Sequence, residues 1–597
     1  MRTTDLIIAF SLLSTAKGVV TDAAASPHSF KLDLHVPNPI PNTNTFLRSS
    51  KPPAANKWAV LNATLGGRLQ VSQPFARPCF QASDTVGAFN QGTCGAVQAG
   101  YLNHTVRVQA FGSFMNTEWE GCQATSEQCT LDWQNPVNPA AFSPPSTCSQ
   151  GSIAEVFLEV KNAADVQTAF KFSKQSGVPL SIKNTGHDYS GRSSQIGSLG
   201  LWTHNLNSIS FSEKFVPKGC PASKALPGVT QGAGVVHGDI VNFADAHGLT
   251  MPAGADNTVG AVGGFLMGGG HTPVSNIYGL GVDRVLEFEV VTPTGKHLFA
   301  NDCQNTDLFF ALRGGGGATF GVVLAVTMRA FPKTSFTTVG VTFNNAPAVL
   351  SPFLDLLIGH SVQWATDGWS GVIVLGGGMF LTNTKMNQAA AAKYMAPLQN
   401  AVEKQLNGTF TLVTLPSYLA LHQNFITSQA VPVGIPLLTS SRLIPANTFK
   451  SSPTQLRDAL LNITANSVET ILFADTPFSF KPFAGTGPTS VTPAWRNSIW
   501  HVTSGNGWLF NTPTAGKQAV YTGVTELMQL LRDLTPSSGA YHNEADVHEP
   551  NFSSSFWGNN YARLLSIKRK YDPDHLLDCW RCVNWRGASN ANFRCYL

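Results

Sequence analysis

Charge is what this sequence has least of. Only 12% of its 597 residues are Asp, Glu, Lys or Arg, about half the usual share. With 43% hydrophobic residues the chain is nonetheless no disordered polymer, which would need high charge and few core-forming side chains. It has no basic tail or dense Lys/Arg run, and its formal net charge is +4, which argues against nucleic acid as a principal partner. Outside the extreme N-terminus no apolar run approaches the ~18 residues of a membrane-spanning helix. Internal repeats, a Walker-type phosphate loop and a Rossmann fingerprint are also missing. Gly232-Ala-Gly234 comes closest to the last, but its third glycine, Gly238, falls one place late. No second Cys-X-X-Cys accompanies Cys579-Trp-Arg-Cys582, so a structural disulfide is favoured there over half a zinc site or a redox pair. No metal site is expected.

What is there begins with signs of export. Arg2, the apolar run Leu6–Leu13 and the small residues Ala23, Ala24 and Ala25 suit a secretory signal peptide over 1–25 better than a buried first helix. Asn-X-Ser/Thr acceptors stand at Asn62, Asn103, Asn407, Asn462 and Asn551. The ten cysteines are even in number, and five crowd between Cys79 and Cys148, as a disulfide-stapled segment in an oxidising compartment would require. Secretion, or the lumen of a secretory compartment such as the vacuole, follows.

By length the chain should hold two to four structural units. Residues 26–148, rich in Pro, Asn, Ser and Cys, read as a stapled N-terminal extension. From 149 to 333 comes an α/β region: a strand over Ile153–Val160, a helix over Asn162–Gln175, a strand over Val178–Ile182, and further strands at Leu286–Val291 and Val322–Met328. Residues 334–538 form a second unit with a strand at Gly371–Leu375 and helices at Gln388–Gln405 and Val520–Leu534. A last segment, 539–597, carries a basic helix, Ala562–Lys570, stopped by Asp572-Pro573.

Glycines between 186 and 321 cluster where strands should end. Glycine lets backbone N–H groups approach an anion and form concave nests for phosphate. Several such clusters in one α/β region suggest a phosphorylated cofactor lying extended across it, although about half the individual glycines would serve simply as tight turns. The richest segment is Lys183-Asn184-Thr185-Gly186-His187-Asp188-Tyr189-Ser190-Gly191-Arg192. Its glycines and hydroxyls suit a pyrophosphate. His187 is placed there as a nucleophile or as a hydrogen-bonding structural group.

Gly186-His187-Asp188-Tyr189-Ser190-Gly191 resembles the signature loop of the vanillyl-alcohol-oxidase/p-cresol-methylhydroxylase (PCMH) flavoprotein superfamily, berberine-bridge-enzyme-like branch. Further matches keep the family's order: Pro252-Ala-Gly254 with Thr258-Val259-Gly260, Gly263-Gly264, Tyr278-Gly-Leu-Gly281-Val282-Asp283, Leu312 to Gly317 with Phe320-Gly321-Val-Val323, and Asn560-Tyr561 to Asp572-Pro573. Among fungal members, Tyr541-His-Asn543-Glu544-Ala-Asp546 and the pair Cys122/Cys129 look most like isoamyl alcohol oxidases. The resemblance implies an α+β protein: a two-part PCMH-type FAD-binding domain plus an antiparallel-sheet substrate domain covered by helices. It implies FAD, bonded covalently to His187 and held by Asn184, Thr185, Gly186, Asp188, Ser190, Gly191, Arg192, Gly254, Thr258, Val259, Gly260, Gly263, Gly264, Val282, Gly321, Val323 and Asn560. Where bicovalent members place Cys, this sequence has Asp256, so a single link is expected.

The implied reaction is hydride transfer from an alcohol to flavin N5, with dioxygen as acceptor and hydrogen peroxide as product. The substrate would be a small aliphatic alcohol or a hydroxyl of a secondary metabolite. An oxidative cyclase or desaturase and a catalytically silent extracellular scaffold are the alternatives. For the base, His501 on Trp495–His501 is the first choice, followed by Tyr541, Glu544 and Tyr561.

Overall fold

The computed structural model describes residues 55–343, 347–483 and 485–597. The expected signal peptide lies outside them. Three sheets carry the fold. The first contains β1 (Leu69–Val71), β2 (Val156–Glu159), β3 (Leu180–Lys183) and β4 (Leu199–Trp202) in the order β1–β2–β4–β3. β2, β3 and β4 are parallel, and β1, supplied by the extension, runs antiparallel at the edge. Helix α1 (Ala163–Ser176) makes the first crossover. Asn162 caps its start by accepting the Asp165 N–H, and Gly177, at φ 75°, ends it in the left-handed conformation. Val166, Ala169 and Phe170 fall on one face of α1 and pack on Leu158, Leu180 and Leu199.

The second sheet holds β5 (Ile209–Phe215), β6 (Leu226–Gly232), β7 (Val285–Val291), β8 (His297–Asn301) and β9 (Val322–Arg329), in the order β8–β7–β9–β6–β5 and antiparallel throughout. The third is a seven-stranded antiparallel sheet. It comprises β10 (Phe336–Thr342), β11 (Ser370–Val374), β12 (Gly378–Asn383), β13 (Thr409–Leu415), β14 (Leu437–Pro445), β15 (Glu469–Ala474) and β16 (Ser498–Gly507). Their order is β13–β10–β12–β11–β15–β16–β14.

Helices α2 (Pro347–Thr366), α3 (Gln388–Tyr394), α4 (Ala396–Lys404), α5 (Pro453–Ala465) and α6 (Thr514–Leu534) belong to this part of the chain. Leu354, Leu398, Leu460 and Met528 from these helices bury Leu381, Leu472 and Val502 of the sheet. Strand alternation turns Ile471 and Phe473 to the opposite face, toward a cavity.

One expected helix, Gln388–Gln405, is two. It breaks at Met395 because Pro397, in the first turn of the second helix, lacks the N–H that would have bonded back into the first. The last segment returns to the first half through α7 (Tyr561–Tyr571), whose buried Lys568 donates to Thr319 O, Leu577 O and the Asp572 carboxylate.

All ten cysteines are paired: Cys79–Cys94, Cys122–Cys595, Cys129–Cys148, Cys220–Cys303 and Cys579–Cys582. Cys122 and Cys129 therefore do not bond each other as the resemblance suggested. Each has a different partner with its Cα 4.4 Å away, well inside disulfide reach. The first of these bridges ties the extension to the C-terminus. Of the glycan acceptors, Asn103, Asn407, Asn462 and Asn551 are exposed and Asn62 is half-buried. Among the described residues no helix is long and apolar enough to cross a membrane.

Candidate functional site

A cavity of about 290 Å³ lies between the glycine-rich loops and the exposed face of the third sheet. Its first wall is the loop that follows β3. Gly186 (φ 91°) and Gly191 (φ 71°) reverse the chain there, a backbone conformation that side chains with a Cβ resist. The Arg192 guanidinium folds back on the Asp188 carboxylate and also meets the His542 ring.

The expected cofactor residues divide on inspection. Asn184, Thr185, Gly186, His187, Asp188 and Arg192 line the cavity. So do Gly254, Val259, Gly260, Gly263, Gly264, Gly321 and Val323. Thr258 stands just behind, bonded to His187. Ser190, Gly191, Val282 and Asn560 are not on the wall. The Ser190 carbonyl accepts from Tyr596, Gly191 packs under Trp119, Val282 is fully buried, and Asn560 donates to Val491 O.

The expected base candidates divide in the same way. Tyr541 and Glu544 face the cavity. Tyr561 does not: its ring packs on Trp557 and its hydroxyl accepts from Asn584 N–H. His501 is fully buried behind the wall, ringed by His271, Trp495 and Tyr541 at 5.0–5.6 Å between ring centroids. Burial pushes its pKa down to about 3, against the pull of Glu544.

Two residues at the centre of the site were not among the expected ones. His271 Nδ1 lies 2.9 Å from Asp475 Oδ2, and its Nε2 lies 3.2 Å from both Glu544 oxygens. Burial opposes the charged ring, but the two carboxylates outweigh it and raise the His271 pKa to about 10. His271 is thus an imidazolium clamped between two acids. Burial alone would raise the Glu544 carboxyl, but the His271 charge and hydrogen bond hold it below its ordinary value. Asp475, fully buried with one oxygen unpartnered, is pushed up by that burial. The ligand atoms of His271, His501 and Glu544 lie within 4.8 Å of one another, and the imidazolium already supplies the positive charge that the carboxylates need. A sequence signal existed for His271, which directly follows Gly268–Gly270. None existed for Asp475, which simply follows the end of β15.

A second network surrounds His187. Its Nε2 lies 2.8 Å from Thr258 Oγ1, and the Thr258 hydroxyl donates to Asp256 Oδ1 at 2.8 Å. His104, from the extension, meets Asp256 Oδ2 at 3.0 Å. Burial pushes His187 down to about 4, so its ring is neutral. Burial would raise Asp256, but His104, His187 and the Thr258 N–H hold its carboxylate far below the usual range.

The walls fit an extended dinucleotide. Asn184 Oδ1 and both nitrogens of His237 are buried without hydrogen-bond partners, and both residues line the cavity. Gly264 lines the cavity too, with open space where a Cβ would stand. These polar groups and bare backbones are what a flavin dinucleotide's phosphates and ring edges would take up.

Comparison with known proteins agrees. Residues 154–301 match the FAD binding domain family, and residues 540–578 match the family described as berberine and berberine like. The chain is 36% identical to the FAD-linked oxidoreductase OXR2 of Pyricularia oryzae, over 91% of this chain and 95% of that one. It is 37% identical to the FAD-linked oxidoreductase ffsJ of Aspergillus flavipes, over 89% and 92%. Among solved structures, the VAO-type flavoprotein MtVAO615 of Myceliophthora thermophila superposes with a TM-score of 0.78 at 29% identity, covering 90% of this chain and 96% of that one. With cavity, loops and relatives in agreement, the chain belongs to the PCMH-type, berberine-bridge-enzyme-like FAD-linked oxidoreductases.

Proposed function

We propose that this protein is a secreted oxidase that carries FAD on His187 through one covalent link and oxidises an alcohol, with dioxygen as acceptor. The observation that carries the reading is the Asp475–His271–Glu544 cluster facing the same cavity as the His187 loop. FAD held by the His187 loop and the glycine-rich segments would supply a two-electron acceptor for hydride, with dioxygen as the final oxidant. Glu544, held ionised by His271, accepts the substrate hydroxyl proton. Asp475 fixes the His271 ring so that its Nε2–H points at Glu544. Tyr541, whose hydroxyl accepts from Gly270 N–H and the Asn543 amide and donates to Phe265 O, holds its ring edge-on against His271 beside the alcohol.

Val372, Ile426, Val433, Leu437, Ile471 and Phe473 supply the apolar part of the remaining wall, beside Thr439, Glu469, Thr503 and Ser504. That lining favours a hydroxyl on a hydrophobic secondary metabolite over a sugar. The pairing of all ten cysteines and the four exposed glycan acceptors support export.

The test is a peroxide-coupled screen of the purified yellow protein against alcohols, sugars and phenolic metabolites, with product analysis. Peroxide with one alcohol class supports the oxidase. A cyclised or desaturated product transfers the site to ring-forming chemistry. A colourless protein is the silent scaffold. His187→Ala should release the flavin colour on acid precipitation, and a variant that keeps it refutes the link.

A further inference from the structure

The network behind His187 has a direction. A threonine hydroxyl has one hydrogen, and that of Thr258 goes to the ionised Asp256. Thr258 Oγ1 therefore accepts from His187, which places the ring proton on Nε2. Nδ1 then carries the lone pair and has no protein partner among the described residues. His187 itself lines the cavity. This is a nucleophile with its leaving proton already aimed at a base one hydroxyl away, the arrangement that activates weak nucleophiles elsewhere.

We propose that Asp256 is the proton acceptor for the covalent attachment of FAD to His187, with Thr258 as the bridge. The inference rests on the covalent reading above. In the step, His187 Nδ1 forms the bond to the flavin methyl carbon and that methyl loses one C–H proton to solvent. The Nε2 proton passes to Thr258 Oγ1, and the Thr258 proton passes to Asp256 Oδ1. The electron pair enters the isoalloxazine ring and leaves to dioxygen, so that attachment yields one hydrogen peroxide per flavin.

Asp256 suits the task because Thr258 N–H and hydroxyl fix one of its oxygens and His104 fixes the other. His104, whose side chain is 29% exposed while that of Asp256 is 9% exposed, closes the network on its outer side. Because His104 belongs to the extension, that stapled segment takes part in maturing the site.

The experiment follows acid-stable flavin per polypeptide over time in wild type, Asp256→Asn, Thr258→Val and Thr258→Ser, each incubated aerobically with FAD. Flavin bound but released by acid is measured in parallel. Wild type and Thr258→Ser should be fully attached. Asp256→Asn and Thr258→Val should hold yellow flavin that acid releases, and should attach it at least ~100-fold more slowly, the usual scale of general base assistance. An Asp256→Asn protein that attaches flavin at the wild-type rate overturns the proposal. If that variant does not fold, the threonine pair decides: equal rates for Val and Ser overturn it. Acid release from wild type itself removes the histidyl link, and the relay with it, a failure visible in the wild-type arm alone.

Discussion

Replacing His271 by Gln tests the charge clamp at the heart of the site. The amide can still donate to a carboxylate but carries no charge, so the change removes electrostatics with little loss of shape. His271 rises from 6.5 unperturbed to about 10 in the folded protein, and at about 1.4 kcal/mol per pH unit this corresponds to about 5 kcal/mol. Because the folded value is raised, the stabilisation is complete below pH 6.5 and is lost as pH climbs through about 10. The opposite displacement of Glu544 describes the same contact and is not added to it.

Unfolding entropy for a chain of 597 residues is roughly 1.25 kcal/mol per degree, so about 5 kcal/mol moves Tm by about 4 °C. Calorimetry at one scan rate should therefore show the gap between wild type and His271→Gln shrinking by about 4 °C between pH 6.5 and 10. Titrating groups outside the His271 cluster cancel in that difference. A second readout is kinetic. Without the imidazolium Glu544 protonates more readily, so the acid limb of kcat/KM should move to higher pH in the variant. A Tm gap that stays constant or widens with pH, together with an unmoved acid limb, would refute the reasoning.

Glu544→Gln should keep its flavin and lose ~10²–10⁴ in kcat, read by stopped-flow flavin reduction. A tenfold or smaller loss would transfer the base role to another group. Gly260→Ala should lower flavin content, because its Cβ meets Asn184 at the cavity wall, and absorbance per polypeptide measures this directly. Cys122→Ser with Cys595→Ser opens a link between residues 473 apart. That variant should lose ~3–5 kcal/mol in guanidinium unfolding, while the 15-residue Cys79–Cys94 loop should contribute less when opened.

Much of the site was legible before the fold. The loop around His187 declares itself because every feature it needs is local: a strand that ends, two glycines at positive φ, and an imidazole between them. The sharp turn of Gly254 to Gly264 is local in the same way. The base was harder to read. His501 sits at a plausible strand position, yet strand alternation does not say whether a side chain reaches open space or is capped by others, and here Trp495, Tyr541 and His271 cap it. Asn560 and Tyr561 head a helix with a strong sequence pattern, but their contacts are with Val491, Trp557 and Asn584 rather than the cavity.

The sequence by itself determined the FAD-binding domain and its glycine-rich loops, since backbone conformation depends on residues that are neighbours in the chain. It also determined the shortage of charge, which suits a cavity walled by glycine and hydroxyl groups. Tertiary structure decided the chemical half: it selected Glu544 among the expected bases and gave it partners the sequence had not named. His271, Asp475 and Glu544 are about 70 to 270 positions apart, and a residue's pKa depends on which charges the fold brings beside it, whatever its separation in sequence. The cysteine partners were decided in the same way: Cys122 finds Cys595 across the whole molecule because the C-terminus folds back onto the extension, a contact no spacing rule contains.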